Sequence, residues 1–394
     1  MKNRPGPPVD GEDFFDRPRD LARLRREIGN GNNLLLTAPR RVGKTSLVLR
    51  LAELCRRDNW AVACFNVEGC SDEIAFAEKL VEELRQEKVH PELLARLGIQ
   101  FQKLRQSLGG MKVGIGVDVE LGDGQDPDHS TLGRALESMF RGMEKAGNRD
   151  VLIIIDEMPE LLLTLKKSEH GADRIAHLLH WLRELRQTYR KRIHWVFLGS
   201  IGLDGFVESL KLGKAINDLL AMGLDALTLD EADEFLAILG RDNGLPLTRE
   251  VRQDIIARVG WPLPHHLQVV FHALVDVGVT NADLAAVERA IVHLDFSQFG
   301  TWRQRLDDQF SDTDAGTAKA ILNHLCQYAQ GRSRAQLMNV LMRAKPSSDP
   351  DLTQNQLAKL LAVLLHDGYL LESDRKYTFR SFLLREYWNR HEIR

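Results

Sequence analysis

The chain has 394 residues, enough for two or three domains. Of these residues, 43% are hydrophobic and 28% are charged, the balance of a globular protein in water, and the net charge is −3. No apolar run reaches the length of a membrane span, and residues 1–15 contain no apolar h-region, so we expect neither a membrane segment nor a signal peptide. Cys55, Cys64, Cys70 and Cys326 lack C-x-x-C spacing, which predicts reduced thiols, a cytoplasmic location and no cysteine metal site.

The beginning of the chain divides into a lead and a helix. Residues 1–13 are rich in proline and glycine and have no apolar periodicity, which predicts a disordered lead. Residues 14–28 (FFDRPRDLARLRREI) predict a short loop followed by an amphipathic helix. We therefore expect the folded part of the chain to begin near residue 14.

Residues 34–47 (LLLTAPRRVGKTSL) carry the most specific motif of the chain. The apolar run at the start of the motif predicts a buried strand, and the residues after it have helical spacing. Gly43, Lys44 and Thr45 complete the phosphate-binding loop G-x-x-x-x-G-K-[ST], except that Ala38 takes the place of the first glycine. A chance G-K-T in a loop is the alternative, but the strand, the spacing and the helix together disfavour it.

The motif predicts a binding site for a nucleoside triphosphate with magnesium. The first N–H groups of a helix and the positive end of its dipole attract the β-phosphate. Lys44 places its charge on the β- and γ-phosphates, Thr45 supplies a hydroxyl to Mg²⁺, and Gly43 allows the backbone to approach closely. The methyl group of Ala38 costs little if its φ is negative. We expect these residues to contact the nucleotide: Pro39, Arg40, Arg41, Val42, Gly43, Lys44, Thr45 and Ser46.

The next segments predict further core elements and an insertion. A strand is predicted at 61–67 and a helical stretch at 71–106. Residues 111–121 (MKVGIGVDVEL) alternate apolar and polar side chains, which predicts one or two strands in an insertion at about 109–123. A helix at 130–147 follows.

The run VLIIIDEMPEL at residues 151–161 predicts a strand buried on both faces, as in the middle of a parallel sheet. It ends in Asp156 and Glu157, and the carboxyl end of such a strand faces the crevice where ligands bind. Asp156 would hold the Mg²⁺ shell, and Glu157 would orient or deprotonate the attacking water. The alternative is an acidic start to a surface helix, with Asp156 as its cap.

A third strand is predicted at 193–198, after a helix at 171–190. The strand leads to Ser200, a small polar residue that can reach the γ-phosphate if the strand lies beside the one that carries Asp156. An ordinary strand-to-loop turn is the alternative. Residue type alone favours the turn, so the order of the strands decides between a γ-phosphate contact and an ordinary turn.

The pattern becomes helical after the last core strand, which we place in residues 224–230. Four short helices are predicted at 230–241, 248–259, 263–277 and 281–294. Three further helices and a hairpin (strands at 369–372 and 376–379) have the plan of a winged helix. The predicted domains are a P-loop core at 14–229, with strands alternating with helices around a parallel sheet, a helical lid at 230–313 and a winged-helix domain at 314–394.

The charge is distributed unevenly along the chain. Residues 315–394 contain 12 Lys and Arg against 7 Asp and Glu, so this part carries +5 and the rest of the chain −8. A basic terminal domain on an acidic body favours an anionic partner. An ordinary solvated surface explains the excess equally well.

Several segments together resemble the STAND branch of the AAA+ ATPases, an archaeal and bacterial group related to origin-recognition-type initiators. They are FFDRPRDLARL, APRRVGKTSL, VLIIIDEMPEL, VFLGS, GWPLPHHLQ and KYTFRSFLLREYW, and they span nearly the whole chain. The resemblance implies ATP as the nucleotide, a P-loop sheet, a lid and a winged helix. It implies that Arg17 lies near the adenine, that Ser200 is the first sensor, and that Gly260-x-Pro262 packs against the base.

The chain departs from the family at two positions where cations are usual. Many AAA+ proteins have an arginine finger before the last core strand, but residues 205–224 contain no arginine. The lid position of the second-sensor arginine is occupied by Pro264, His265 and His266. These departures predict slow hydrolysis. Four arginines before the strand at 193–198 are candidate replacements for these missing cations: Arg183, Arg186, Arg190 and Arg192. A solvated basic helix face explains them better.

These observations lead to two functional hypotheses. The first is an Mg²⁺-dependent ATPase that acts as a slow switch, in which ATP or ADP sets the position of the winged helix for a protein effector. The second is an ATP-dependent DNA-binding protein that uses the winged helix, with cations at Arg332, Arg334, Arg375 and Lys376. An ATP-dependent homo-oligomer would supply the missing cation from a neighbouring subunit. No membrane partner is expected.

Overall fold

The structure is a computed structural model that describes residues 1–89, 129–146, 149–200, 206–208, 210–344 and 349–393. The insertion predicted at 109–123 lies outside the described residues. Contacts divide the chain into two compact units. The sheet unit consists of residues 16–38 and 44–224, and the helical unit consists of residues 1–15, 39–43 and 225–394.

The sheet unit contains, in the described part of the chain, a five-stranded parallel sheet with the order β2-β3-β4-β1-β5. The strands are β1 (Asn33–Ala38), β2 (Ala61–Asn66), β3 (Val151–Asp156), β4 (Ile193–Ser200) and β5 (Leu219–Gly223). The helices are α1 (Pro18–Gly29), α2 (Lys44–Arg57), α3 (Glu73–Gln86), α4 (His129–Ala146), α5 (Met158–Lys166) and α6 (Gly171–Thr188).

The apolar runs of the sequence become the central strands because both sheet faces are covered. Every residue of β3 is buried, as expected for a strand between two neighbours and two helix layers. One face of the sheet presents Ile153, Ile155, Trp195 and Phe197 to a single apolar core. That core also contains side chains of α3, α4, α5 and α6, such as Phe76, Phe140, Leu161 and Leu178.

The last core strand is displaced from its predicted position. β5 ends at Gly223, whereas the sequence predicts this strand within 224–230. The prediction was wrong because Thr228 begins a helix: it forms a capping box with Glu231, in which each side chain bonds the other's backbone N–H. The apolar residues just before that cap therefore belong to a connection.

The helical unit begins with four helices at the predicted places: α7 (Leu229–Asp242), α8 (Arg249–Val259), α9 (Pro264–Asp276) and α10 (Leu284–Val292). Further helices are α11 (Gly300–Gln309), α12 (Asp312–Leu325), α13 (Arg334–Ala344), α14 (Pro350–His366) and α15 (Phe382–His391). Three short antiparallel strands have the order β6-β8-β7 and are β6 (Arg332–Ser333), β7 (Leu370–Ser373) and β8 (Lys376–Phe379). The predicted hairpin is present, and β6 adds a third strand to it.

The first thirteen residues differ from the predicted disordered lead. Asn3 donates its backbone N–H to Asn243 Oδ1 (3.2 Å) and its Nδ2 to the carbonyl oxygen of Gln268 (3.4 Å). A 3₁₀ helix follows at Gly11–Asp13, and the ring of Phe15 packs edge-on against Phe235. Hydrogen bonds, which hydrophobic periodicity does not reveal, hold this segment in the helical unit.

Candidate functional site

The phosphate-loop motif lies between β1 and α2, as its sequence predicts. α2 begins at Lys44, and the first turn of a helix directs its N–H groups towards the loop that precedes it. Gly43 has φ 98°, a left-handed conformation that a glycine adopts at low cost. Ala38 is the last residue of β1 and its φ is negative, so its methyl group is tolerated.

Lys44 is held at the carboxyl end of β1. Its Nζ donates to the carbonyl oxygen of Ala38 (2.9 Å), and the residue is only 6% exposed. This bond runs from the first residue of α2 back to the last residue of β1. The ammonium is therefore fixed at the place where the motif predicts the β- and γ-phosphates.

The two predicted magnesium ligands meet in the sheet unit. Thr45 Oγ1 donates to Asp156 Oδ2 at 2.7 Å, although the residues are 111 positions apart. Asp156 ends β3 and is 4% exposed, and its Oδ1 accepts the backbone N–H of Glu157 (2.9 Å). A hydroxyl and a carboxylate oxygen side by side fit Mg²⁺, which prefers oxygen ligands and takes few of them from the protein.

The alternative interpretation of Asp156 as a helix cap is wrong. Asp156 is the last strand residue, and Glu157 occupies the N-cap of α5 without a side-chain capping bond. Glu157 has φ 58°, a left-handed conformation that costs a non-glycine residue about 1 kcal/mol or more. Because of this turn, the carboxylates of Asp156 and Glu157 follow β3 directly, and neither side chain caps α5.

Ser200 ends β4, the strand between the two motifs. β4 pairs with β3 on one side and with β1 on the other, and Ser200 is the backbone partner of Ala38. The strand order on which the sensor interpretation depends is therefore present.

Arg17 and Pro262, the two residues assigned to the base by resemblance, belong to different units. Arg17 precedes α1, is buried, and its Nε is 3.0 Å from Asp20 Oδ2. The carbonyl oxygen of Pro262 accepts the backbone N–H of Leu227 at 3.2 Å. Pro262 lies in the connection before α9, which begins at Pro264, and Gly260 is the C-cap residue of α8.

Residues 39–43 of the loop are grouped with the helical unit. Arg41 has φ 68°, and its Nη1 donates to the carbonyl oxygen of Gly6 (3.0 Å). Burial and the charge of Arg40 lower the pKa of Arg41. The side chain of Arg41 is thus directed to the first residues of the chain.

His265 and His266 occupy the region where the resemblance implies a second-sensor arginine, and both have lowered pKa values. Burial, followed by the charge of Arg41, lowers the pKa of His265 to about 4. Burial also lowers the pKa of His266 well below its ordinary value. Burial therefore disfavours a positive charge on either imidazole.

The arginines of α6 have structural partners. Arg186 is 1% exposed and forms two 2.8 Å bonds to the carboxylate of Asp218, just before β5. Arg183 donates to the carbonyl oxygen of Lys214 at 2.6 Å. The predicted solvated face is therefore wrong for Arg186. The sequence did not indicate this pair, nor the buried pair of Arg174 with Glu73, because the partners are distant along the chain.

Two further observations concern metals and membranes. Within the described ranges, no three His, Cys, Asp or Glu side chains cluster as an all-protein metal cage. No described helix combines the length and the apolar character needed to cross a membrane.

Two solved structures share this fold over nearly their whole length. The Walker-type ATPase PABY2304 of Pyrococcus abyssi is similar with a TM-score of 0.64 and 16% identity, over 98% of this chain and 99% of that one. The ORC2 protein of Aeropyrum pernix, in its ADPNP–ADP complexes, has a TM-score of 0.55 and 14% identity, over 96% and 95% of the two chains. No protein-family model matches the sequence, and no curated protein matches it significantly. The chain therefore has an AAA+ fold, shared with these two proteins.

Proposed function

We propose that this protein is an ATP-binding, slowly hydrolysing switch of the STAND type. The observation that carries the proposal is the 2.7 Å contact between Thr45 and Asp156 beside the buried Lys44. Three groups that a triphosphate with Mg²⁺ needs, a cation and two oxygen ligands, lie at the carboxyl ends of β1 and β3. An ordinary parallel sheet does not require a lysine, a threonine and an aspartate together at these positions.

In this proposal the loop residues 39–46 bind the phosphates, and Mg²⁺, held by Thr45 and Asp156, neutralises charge on the β- and γ-phosphates. Glu157 orients the attacking water. Ser200 contacts the γ-phosphate, and Arg17 and Pro262 contact the base. The buried, neutral His265 and His266 and the paired Arg186 support slow turnover, because they leave charge on the γ-phosphate less well stabilised.

The C-terminal domain is the output in this proposal, acting as a winged helix that receives a protein effector. One side of α14 presents Leu352, Asn355, Lys359, Ala362 and His366 to solvent. This stripe has a single lysine, and Asp351 is exposed beside it at the start of the helix. Such a surface suits a polypeptide better than a phosphate backbone.

The alternative output is duplex DNA, favoured by a different surface. β6 pairs with β8, so that Ser333 lies opposite Lys376, next to Arg332 and Arg334. If these cations contact phosphates, affinity for duplex DNA falls steeply as salt rises. A titration of DNA binding against salt separates the alternatives: no binding at low salt rules out DNA as the output.

The test of nucleotide binding uses Lys44→Ala with Lys191→Ala, an exposed lysine, as the matched control. Lys44→Ala removes the charge that faces the phosphates, so we expect calorimetry to give about 100-fold weaker ATP·Mg²⁺ binding, ~2.8 kcal/mol. Lys191→Ala should bind as the wild type does. Equal affinity of the two variants would contradict the proposal.

A further inference from the structure

The turn Gly260-Trp261-Pro262 between α8 and α9 is packed against the C-terminal domain. Gly260 is the C-cap residue that follows α8, with φ 75°. A Cβ added at Gly260 would lie 2.8 Å from two ring carbons of Phe382, the first residue of α15. The backbone of the turn therefore touches α15 directly, with no room for a side chain.

Trp261 contacts both ends of the β7–β8 hairpin. It is 4% exposed, and the guanidinium carbon of Arg380, just after β8, lies 4.4 Å from its ring centroid. A Cβ added at Gly368, just before β7, would lie 2.4 Å from the Trp261 ring. The indole is thus held between the segment that enters the hairpin and the segment that leaves it.

Further contacts join the same two regions. His266 Nδ1 of α9 is 3.2 Å from the hydroxyl of Ser381, which in turn caps α15. Tyr369 donates its hydroxyl to the carbonyl oxygen of Trp302 (2.7 Å), and Arg390 donates to the carbonyl oxygen of Val292 (3.0 Å). The lid helices and the C-terminal domain are consequently packed as one body.

The phosphate loop is tied into this body. Residues 39–43 belong to the helical unit, and Arg41 bonds Gly6. Asn3, in the same initial segment, bonds Gln268 of α9. A continuous set of contacts within one unit therefore leads from the loop to α9, to the turn that precedes α9, and on to the hairpin.

We propose that the lid and the C-terminal domain move as one rigid body, and that Trp261 is the positioning residue that couples them. This inference rests on the proposed function for its nucleotide dependence. Linkage is reciprocal: if nucleotide binding acts on the hairpin through Trp261, a change in the packing of the hairpin against Trp261 alters nucleotide affinity. The lid is then not a hinge for the C-terminal domain, and the two change position together.

The first test perturbs Trp261 from the hairpin side. Gly368→Ala has two effects, a strained backbone at φ 80° and a methyl group pressed into the indole. Gly278→Ala is the matched control, because Gly278 has φ 74° and nothing within 4 Å of its added Cβ. We expect Gly368→Ala to change ATP or ADP affinity about fivefold or more, and Gly278→Ala to leave both unchanged.

The second test removes the coupling residue. In a Trp261→Leu background, Gly368→Ala should no longer change nucleotide affinity, because the ring that transmits the change is gone. Trp261→Phe, which keeps an aromatic face for Arg380, should preserve the effect. A fivefold effect that persists in the Trp261→Leu background, or wild-type affinity in Gly368→Ala alone, would overturn the inference.

Hydrogen exchange measured without nucleotide tests independently whether the lid and the C-terminal domain form one rigid body. In the wild type, amides of α8–α9 and of β7–β8 should open with the same free energy, and Trp261→Leu should separate them. Separate opening in the wild type overturns the inference. If no variant, the wild type included, binds nucleotide, the proposed function fails, and the exchange result alone decides the coupling.

Discussion

Thr45 and Asp156 are 111 positions apart in the sequence, and their side-chain oxygens are 2.7 Å apart in the structure. The sequence predicted this meeting because both residues follow strands whose carboxyl ends share one edge of a parallel sheet. It also predicted that Ala38 would be tolerated if its φ were negative, and that condition holds. The left-handed φ of Glu157 was not predictable, because it is imposed by the turn into α5.

We predict that Asp156→Asn removes the benefit of Mg²⁺ for ATP binding. The amide keeps the size and one acceptor of the carboxylate but lacks its charge, which holds the metal. The ratio of ATP affinities with and without Mg²⁺ should fall about tenfold, ~1.4 kcal/mol. Asp173→Asn, at an exposed position on α6, is the control and should keep the wild-type ratio. An unchanged ratio in Asp156→Asn would show that the metal is held elsewhere.

At the scale of elements, the sequence predicted the helices better than their partners. α7, α8 and α9 lie within a residue or two of their predicted bounds, because their apolar side chains recur with helical spacing. The position of β5 was missed because Thr228 caps α7, so the apolar residues just before it belong to a connection and not to a strand. Buried ion pairs were missed as well, since their spacing along the chain follows no period.

We predict that Arg186→Met destabilises the sheet unit. The substitution leaves the Asp218 carboxylate, which is mostly buried, without the two bonds that hold it in front of β5. Breaking such a pair costs about 3 kcal/mol of unfolding free energy, measurable by urea denaturation. Arg190→Met, at an exposed position just beyond α6, should cost little. Similar losses in the two variants would contradict the structural role of Arg186.

α9 is expected to make stability depend on pH. Burial lowers the pKa of His265 from 6.5 to about 4, so the unfolded chain binds a proton at a pH where the folded chain does not. The lowered pKa of His265 contributes about 3 kcal/mol to the free energy of unfolding. This contribution is complete above pH 6.5 and is lost as pH falls towards 4. His265→Gln should flatten the fall in unfolding free energy over that range, whereas the exposed His272→Gln should not. Parallel curves for His265→Gln and the wild type would contradict the shift.

At the scale of the whole molecule, the described residues form two units, and the sheet unit ends at residue 224. Two features of the helical unit could not be predicted. The initial segment and residues 39–43 join it through hydrogen bonds, and the turn between α8 and α9 contacts the β7–β8 hairpin through Trp261. Both depend on contacts between distant residues with no sequence pattern.

In the proposed switch, bound ATP marks the state of the protein. The central claim is that ATP is hydrolysed slowly, with Glu157 orienting the attacking water. The most direct measurement is single-turnover hydrolysis of bound ATP by the wild type and Glu157→Gln, with Glu160→Gln on α5 as the control. We predict wild-type turnover of about 10⁻² s⁻¹ or slower, as in P-loop enzymes that lack efficient charge stabilisation, and Glu157→Gln should be at least tenfold slower with unchanged ATP affinity. Turnover of about 1 s⁻¹ or faster, or equal rates in Glu157→Gln and the wild type, would contradict it.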